Sequence, residues 1–400
     1  MIKLVSFRPG VIGNNTAFEA QASIYKYLQK HYGYRFTIVK SEGDQYHDPA
    51  FEIISIPQTA WKSRLQKLGI PKLGAIHKSL EPIFVQADGI LTVDPTTYLQ
   101  GLLAIRIAHQ LKKPVWFDAS KTFDRTPKNL NFQLKRRFWL RKALHQTTGI
   151  IVTVPKCIER FQELGLFDQV IAPKFRILGH PVDTQRFTPK PKRSEKDGIL
   201  RVLVVSRMEP EKGLLYILEA MTPLLRSRSN VQLELLGSGA MRSLLEAEVT
   251  ERGLSDQVIF LNSVSHGEIP DILAGVDVFV NHAVSIGSWE EYFGVVNLEA
   301  MSCGLPCVLT SCGGISYAVR EKDVSVFVEE RNVIQLREAI VHLLDSQQQR
   351  QEKGKRGRDY VESYYGLIVI AEKFHRMLQH SLIKDGLVLT NTPRSQCIEK

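Results

Sequence analysis

The chain has 400 residues, 44% of them apolar and 24% charged, with a formal net charge of +10. That balance excludes a disordered, collagenous or coiled-coil chain, and the length provides for two or three globular domains without a disulfide or metal staple. No run approaches the ~18 to 20 apolar residues of a membrane-spanning helix, and five scattered cysteines with no apolar leader point to a reducing, cytoplasmic setting.

In chain order, β-branched runs predict strands over residues 2–7, 34–39, 89–93, 114–118, 149–154 and 175–178. A helix is predicted over 17–31, with Phe18, Ala22, Tyr25 and Leu28 on one face, and helices fill the other intervals. Repeated βα units imply an α/β domain with a parallel sheet over residues 1–187. Residues 188–198 are polar, charge-dense and contain Pro, which reads as a linker. The βα pattern then restarts over 199–360, with strands at 200–205, 231–236, 258–261, 276–280, 306–310 and 324–328. Residues 361–384 read as a terminal helix and 385–400 as a flexible tail.

The charge is uneven. Residues 1–180 hold 26 Lys and Arg against 13 Asp and Glu, so all the excess positive charge lies in the first half. Two segments concentrate it. Residues 61–80 interleave Lys62, Arg64, Lys67, Lys72 and Lys78 with apolar residues, and 121–142 interleave Lys135, Arg136, Arg137, Arg141 and Lys142 with Phe132, Phe138, Trp139 and Leu140. Such helices either lie on an anionic membrane surface, on the inner face of the membrane, or pack an apolar stripe on their own sheet. Nothing like a nucleic-acid module accompanies them, so no nucleic-acid partner is expected.

Three clusters in the second half follow predicted strands. In the segment Ser206-Arg-Met-Glu-Pro-Glu-Lys-Gly213, Arg207 and Lys212 stand beside a helix N-terminus. Two cations and a helix dipole suit a diphosphate, although a solvated loop has the same look. Gly237-Ser-Gly239 is a weaker signal, a glycine turn between strand and helix without the third Gly of the dinucleotide fingerprint. In the third cluster, Glu291 and Glu299 are eight residues apart. On one continuous helix they would be about 80° out of phase. They converge only if Glu291 sits in the loop and Glu299 on the helix, with Gly294 as the bend. Two carboxylates so placed suit the vicinal hydroxyls of a sugar or ribose.

These clusters, with Gly179-His-Pro-Val-Asp183 before them and Gly313-Gly314 after, resemble in order and spacing the retaining glycosyltransferases of family 4. The resemblance implies a GT-B fold: two Rossmann-like parallel-sheet domains facing across a cleft, with C-terminal helices returning to the first domain. It implies transfer of a sugar from a nucleotide diphosphate sugar, with UDP or GDP as the nucleotide, to an acceptor hydroxyl with retention. The acceptor side is the first domain, and a lipid-linked or glycoconjugate acceptor fits the basic charge. Arg207, Lys212 and Glu291 take the catalytic roles. Gly13, Val264, Phe293, Gly294, Val295 and Glu299 bind the donor, with Glu299 on the ribose. The family usually carries a His near the end of the strand at 114–118. This chain reads Asp118-Ala-Ser120-Lys121 there, so Asp118, Ser120 or Lys121 substitutes as a sugar or acceptor contact. His282, which follows a strand, is either a further such contact or structural.

No resident cofactor or metal is expected. Cys303, Cys307 and Cys312 lack a metal-ligand spacing and read as small buried residues. Rival readings are a GT-B epimerase or phosphorylase, and a non-catalytic sugar- or nucleotide-binding subunit.

Overall fold

The computed structural model describes residues 1–9, 16–57, 73–122 and 130–384. Gly13, most of the 61–80 segment, part of the 121–142 segment and the tail from 385 lie outside the described residues. Contacts divide the chain into two units, Met1–Ser120, Thr126–Gly179 and Ile370–Lys400 in one and Lys121–Arg125 and His180–Val369 in the other.

The first unit is built on a parallel sheet of β1 (Ile2–Arg8), β2 (Tyr34–Ser41), β3 (Glu52–Ile56), β4 (Gly89–Val93), β5 (Val115–Ala119), β6 (Gly149–Val152) and β7 (Phe175–Ile177), in the order β3-β2-β1-β4-β5-β6-β7. Its central strands are apolar on both faces, as β4 shows, because helices cover both sides. The helix Thr16–Tyr32 turns Tyr25 and Leu28 fully inward, as its spacing predicts. β3 escapes sequence reading because it is a half-exposed edge strand with no clean alternation.

The second unit carries β8 (Leu200–Val205), β9 (Val231–Leu236), β10 (Val258–Leu261), β11 (Val278–Asn281), β12 (Cys307–Thr310) and β13 (Val326–Val328), ordered β10-β9-β8-β11-β12-β13 and parallel throughout. Leu233, Val278, Val280 and Val308 from the sheet pack with Ile217, Leu218 and Met221 of the helix Leu214–Ser227 and with Leu336, Ile340 and Leu343 of the helix Val333–Asp345.

Both sheets wind outward from a first strand and then resume on its other side. The order reverses between β1 and β4, and again between β8 and β11. Loops leaving the carboxyl ends of strands on either side of such a reversal diverge and leave a crevice, where open α/β sheets bind ligands.

The unit boundary differs from the expected one. Residues 180–187 belong to the second unit: Val182 N donates to Tyr365 O at 2.8 Å, and Ser302 Oγ donates to Phe187 O at 2.6 Å. The 188–198 segment is anchored rather than free. It includes the short helix Ser194–Asp197, Arg193 reaches Glu234 at 2.6 Å, and Ser194 Oγ reaches Asp277 at 2.5 Å. The terminal segment forms two helices, Gln347–Tyr364 and Leu367–Lys384. The second ends in the first unit, where Tyr34 Oη and His375 Nδ1 are 3.0 Å apart and Tyr32 stacks on the same ring at 3.8 Å.

Candidate active site in the second unit

The loop after β8 closes with a 3-10 turn, Pro210–Lys212, and enters the helix Leu214–Ser227 through Gly213. Gly213 has φ +64°, and a Cβ there would meet His282 O at 2.1 Å. Only glycine allows the β8 loop to lie this close to the β11 loop. Val284 N donates to Glu211 O at 2.9 Å and fixes the same approach.

This contact brings Lys212 to Glu291. Lys212 Nζ donates to Glu291 Oε2 at 2.5 Å, across the β8/β11 reversal, with about 13% of each side chain exposed to solvent. The ammonium also lies 4.9 Å over the ring of Trp289. Glu291 Oε1 accepts from Tyr292 N at 3.2 Å, and Glu291 O accepts from Gly314 N at 2.7 Å. A Cβ on Gly314 would meet Tyr292 O at 1.8 Å, so the paired glycines after β12 serve close backbone packing beneath Glu291.

Arg207 sits on the same β8 loop but is largely exposed, bonded at 3.0 Å to Glu211 four residues on. Exposed pairs of this kind contribute only ~0.3 to 0.5 kcal/mol, so the guanidinium leaves readily for an anion. Gly294, with φ +74°, caps the helix Val295–Ser302 as the expected bend between loop and helix. Phe293 before it is buried edge-on against His180 at 4.9 Å and Tyr365 at 5.6 Å. Val295 opens the helix half-buried. Asn297 is buried and accepts from Asn281 Nδ2 at 2.7 Å, which fastens the helix to the end of β11.

Glu299 lies on that helix, buried, with Oε1 2.7 Å from His266 Nε2. His266 and the half-buried Val264 are on the loop after β10. Gly237 after β9 places its backbone against Ser206 O, where a Cβ would stand 2.0 Å away. The loops after β8, β9, β10, β11 and β12 therefore share the carboxyl end of the sheet; Arg207, Lys212 and Glu291 rise from them, and Glu299 from the helix that follows β11.

Sequence reasoning missed Trp289 and His266. Trp289 lies two residues before Glu291 and carries no periodic signal. His266 had no signal beyond a polar residue after a strand. His282 is corrected to a structural residue. It is fully buried, its Nε2 accepts from Arg331 N at 3.0 Å, and burial holds its pKa down to about 4. Cys303 and Cys312 are buried with thiols pushed up to about 12 and about 11 by desolvation, which makes them inert packing residues. Among the described residues no group of three or more His, Cys, Asp and Glu could hold a metal ion.

In the first unit Asp118, next to last in β5, has its carboxylate on Arg8 at 2.6 Å and Gln21 at 3.0 Å. Arg8 is itself buried against Ser6 and Tyr25. This network joins the ends of β1 and β5 on the two sides of the β1/β4 reversal and holds the Asp118 carboxylate at a fixed position. Ser120 and Lys121 follow it, half-buried.

Residues 185–360 match the family described as glycosyl transferases group 1. The matched segment holds Arg207, Lys212, Glu291 and Glu299. The chain is 31% identical over 218 residues to a GDP-mannose-dependent monoacylated alpha-(1-6)-phosphatidylinositol monomannoside mannosyltransferase of Corynebacterium glutamicum, a match covering 52% of this chain and 56% of the relative. It is 30% identical over 193 residues to the D-inositol 3-phosphate glycosyltransferase of Paenarthrobacter aurescens, with 46% of each chain covered. The chain thus spans about half the length of the curated relatives it matches. Among solved structures, Anabaena HepE in complex with UDP superimposes with a TM-score of 0.73 at 16% identity, over 95% of this chain and 100% of that one. Sucrose-phosphate synthase of Thermosynechococcus elongatus gives 0.69 at 18% identity, over 96% and 100%. Two parallel-sheet units with these neighbours make the fold GT-B.

Proposed function

We propose that this protein transfers a sugar from a nucleoside diphosphate sugar to an acceptor hydroxyl, with retention at the anomeric carbon. The observation that carries this reading is the meeting of Lys212 and Glu291 at the β8/β11 reversal, a cation and a carboxylate together at the point where open sheets bind ligands. Lys212 and Arg207 take the donor diphosphate and offset the charge that grows on it as the bond to the sugar breaks, the kind of term worth about 3 to 4 kcal/mol per donor. Glu291 accepts from sugar hydroxyls, and Glu299 from the ribose. The acceptor oxygen bonds to the anomeric carbon on the face the diphosphate leaves, and the hydroxyl proton departs with the diphosphate. No resident metal is needed for this, because fixed cations neutralise the diphosphate.

The test is turnover with UDP-, GDP- and ADP-sugars, with and without acceptor, in the wild type and in Lys212→Ala. Release of nucleoside diphosphate that disappears in the variant supports transfer. An isomerised or phosphorolysed donor selects the epimerase or phosphorylase reading, and binding without turnover selects the non-catalytic one.

A second observation bears on the acceptor. Phe138 and Trp139 on the helix Leu130–Gln146 are 65% and 55% exposed, while Leu140, Ala143 and Leu144 of the same helix are buried. Arg137, Arg141 and Lys142 surround them, exposed as well. Adjacent exposed aromatics among cations suit an anionic lipid surface. This supports a lipid-linked acceptor met by a peripheral enzyme. Among the described residues no helix is long and apolar enough to cross a membrane.

A further inference from the structure

The proposed transfer chemistry gives no role to the chain from His282 to Trp289. The structure ties it down at every turn. His282 Nε2 accepts from Arg331 N at 3.0 Å. Thr310 Oγ1 donates to Ala283 O at 2.6 Å. The Glu330 carboxylate accepts from both Ser285 N at 2.7 Å and Ser285 Oγ at 2.9 Å. The Arg331 guanidinium donates to Ser285 O and reaches Glu330 at 3.2 Å. Ile286 and Trp289 then exchange backbone hydrogen bonds of 3.1 and 2.9 Å, closing a tight turn that carries the indole back over Lys212.

Arg331 adopts φ +64°, rare for a residue with a side chain. That bend aims its N–H at His282 and its guanidinium at Ser285. Both residues follow β13, a strand at the far edge of the sheet from the β8 loop. The turn therefore has no place in the diphosphate site, yet it decides where Trp289 stands.

We propose that Trp289 is a positioning residue for the Lys212 ammonium, and that the Glu330–Arg331 turn sets Trp289 by strapping residues 282–289. The inference rests on the nucleoside diphosphate reading above. With Glu291 on one side and the indole face on the other, the ammonium has little room to solvate or swing away. Its remaining N–H groups keep a fixed direction for the diphosphate. An indole face also stabilises a cation more strongly when water is excluded.

The experiment compares binding of UDP and GDP with uridine and guanosine, by titration calorimetry, in the full-length wild type, Trp289→Ala, Trp289→Phe and Glu330→Ala. Trp289→Ala is expected to weaken the preferred diphosphate by about 5- to 30-fold while leaving the nucleoside unchanged. Trp289→Phe recovers most of the loss, since it keeps an aromatic face. Glu330→Ala reproduces a smaller diphosphate-selective loss, and the double variant Trp289→Ala/Glu330→Ala loses no more than Trp289→Ala alone. Equal losses of nucleoside and diphosphate, or additive losses in the double variant, overturn the proposal. Unchanged diphosphate binding in Trp289→Ala overturns it too, while leaving the transfer reading standing. A wild type that binds neither diphosphate removes both.

Discussion

His266 Nε2 and Glu299 Oε1 lie 2.7 Å apart and join the loop after β10 to the helix after β11. The carboxylate proposed for a ribose is thus already oriented. Glu299→Gln keeps the shape and removes the charge. Because hydrogen bonds to charged groups contribute about 1.5 to 3 kcal/mol, nucleoside affinity should fall roughly 10- to 100-fold, with the diphosphate form falling equally. Calorimetric titration reads this, and unchanged affinity takes Glu299 out of the site. His266→Ala leaves a buried acid without its partner and should lower stability by about 1 to 3 kcal/mol in denaturant melts.

Lys212 and Glu291 make opposite demands on the reaction. Lys212→Ala removes the cation proposed to face the leaving group, and turnover should fall by about 100- to 1,000-fold, with a lower melting temperature because the largely buried Glu291 carboxylate loses its partner. Glu291→Gln should raise KM for the sugar donor more than it alters affinity for the bare diphosphate, because its proposed contact is to the sugar. Steady-state kinetics beside product-inhibition constants separate the two.

Gly314→Ala is a packing test. The new methyl group would lie 1.8 Å from Tyr292 O, so the backbone beneath Glu291 must move. We expect a loss of about 2 kcal/mol or more, seen as a lower unfolding midpoint, together with weaker donor binding. A variant with wild-type stability and activity would show that the β12 turn does not set the position of Glu291.

His282 makes the second unit acid-sensitive. Burial lowers its pKa from 6.5 to about 4, and the charged neighbours are Glu330 and Arg331. The unfolded chain takes up the proton first, so stability is complete above about pH 6.5 and falls as the pH drops toward 4. The full swing is on the order of 3 kcal/mol. Below pH 4 this contribution no longer changes. His282→Gln should flatten the pH dependence of unfolding in that window, as read by denaturant melts at stepped pH.

Phe138 and Trp139 meet edge to face at 5.5 Å, and Lys142 lies 5.9 Å from the Trp139 ring. Arg141 is partly neutralised by Asp168 at 2.9 Å. Flotation with vesicles of phosphatidylcholine and phosphatidylglycerol should retain the protein at low salt and release it at high salt. Phe138→Ser/Trp139→Ser should abolish retention. Failure to float with anionic vesicles at low salt ends the membrane reading and leaves sugar transfer untouched.

The βα alternation in both halves, the restart near residue 199, and the strand-loop-helix segments that bear Arg207, Lys212, Glu291 and Glu299 are legible in the order of residues alone. These are local signals: the two-residue and 3.6-residue periods, glycines at bends, and polar residues after apolar runs. The same order also placed Gly294 as the bend that separates a loop acid from a helix acid. Tertiary structure decided the rest. Lys212 and Glu291 are 79 residues apart and meet only because β11 packs beside β8, a strand order no local pattern encodes. The same folding buried His282 behind Arg331, brought His266 to Glu299, gave residues 180–187 to the second unit and the last helix to the first, and laid Trp289 over the ammonium. Partners chosen across a sheet depend on which strands become neighbours, and that is settled by burying the whole core at once.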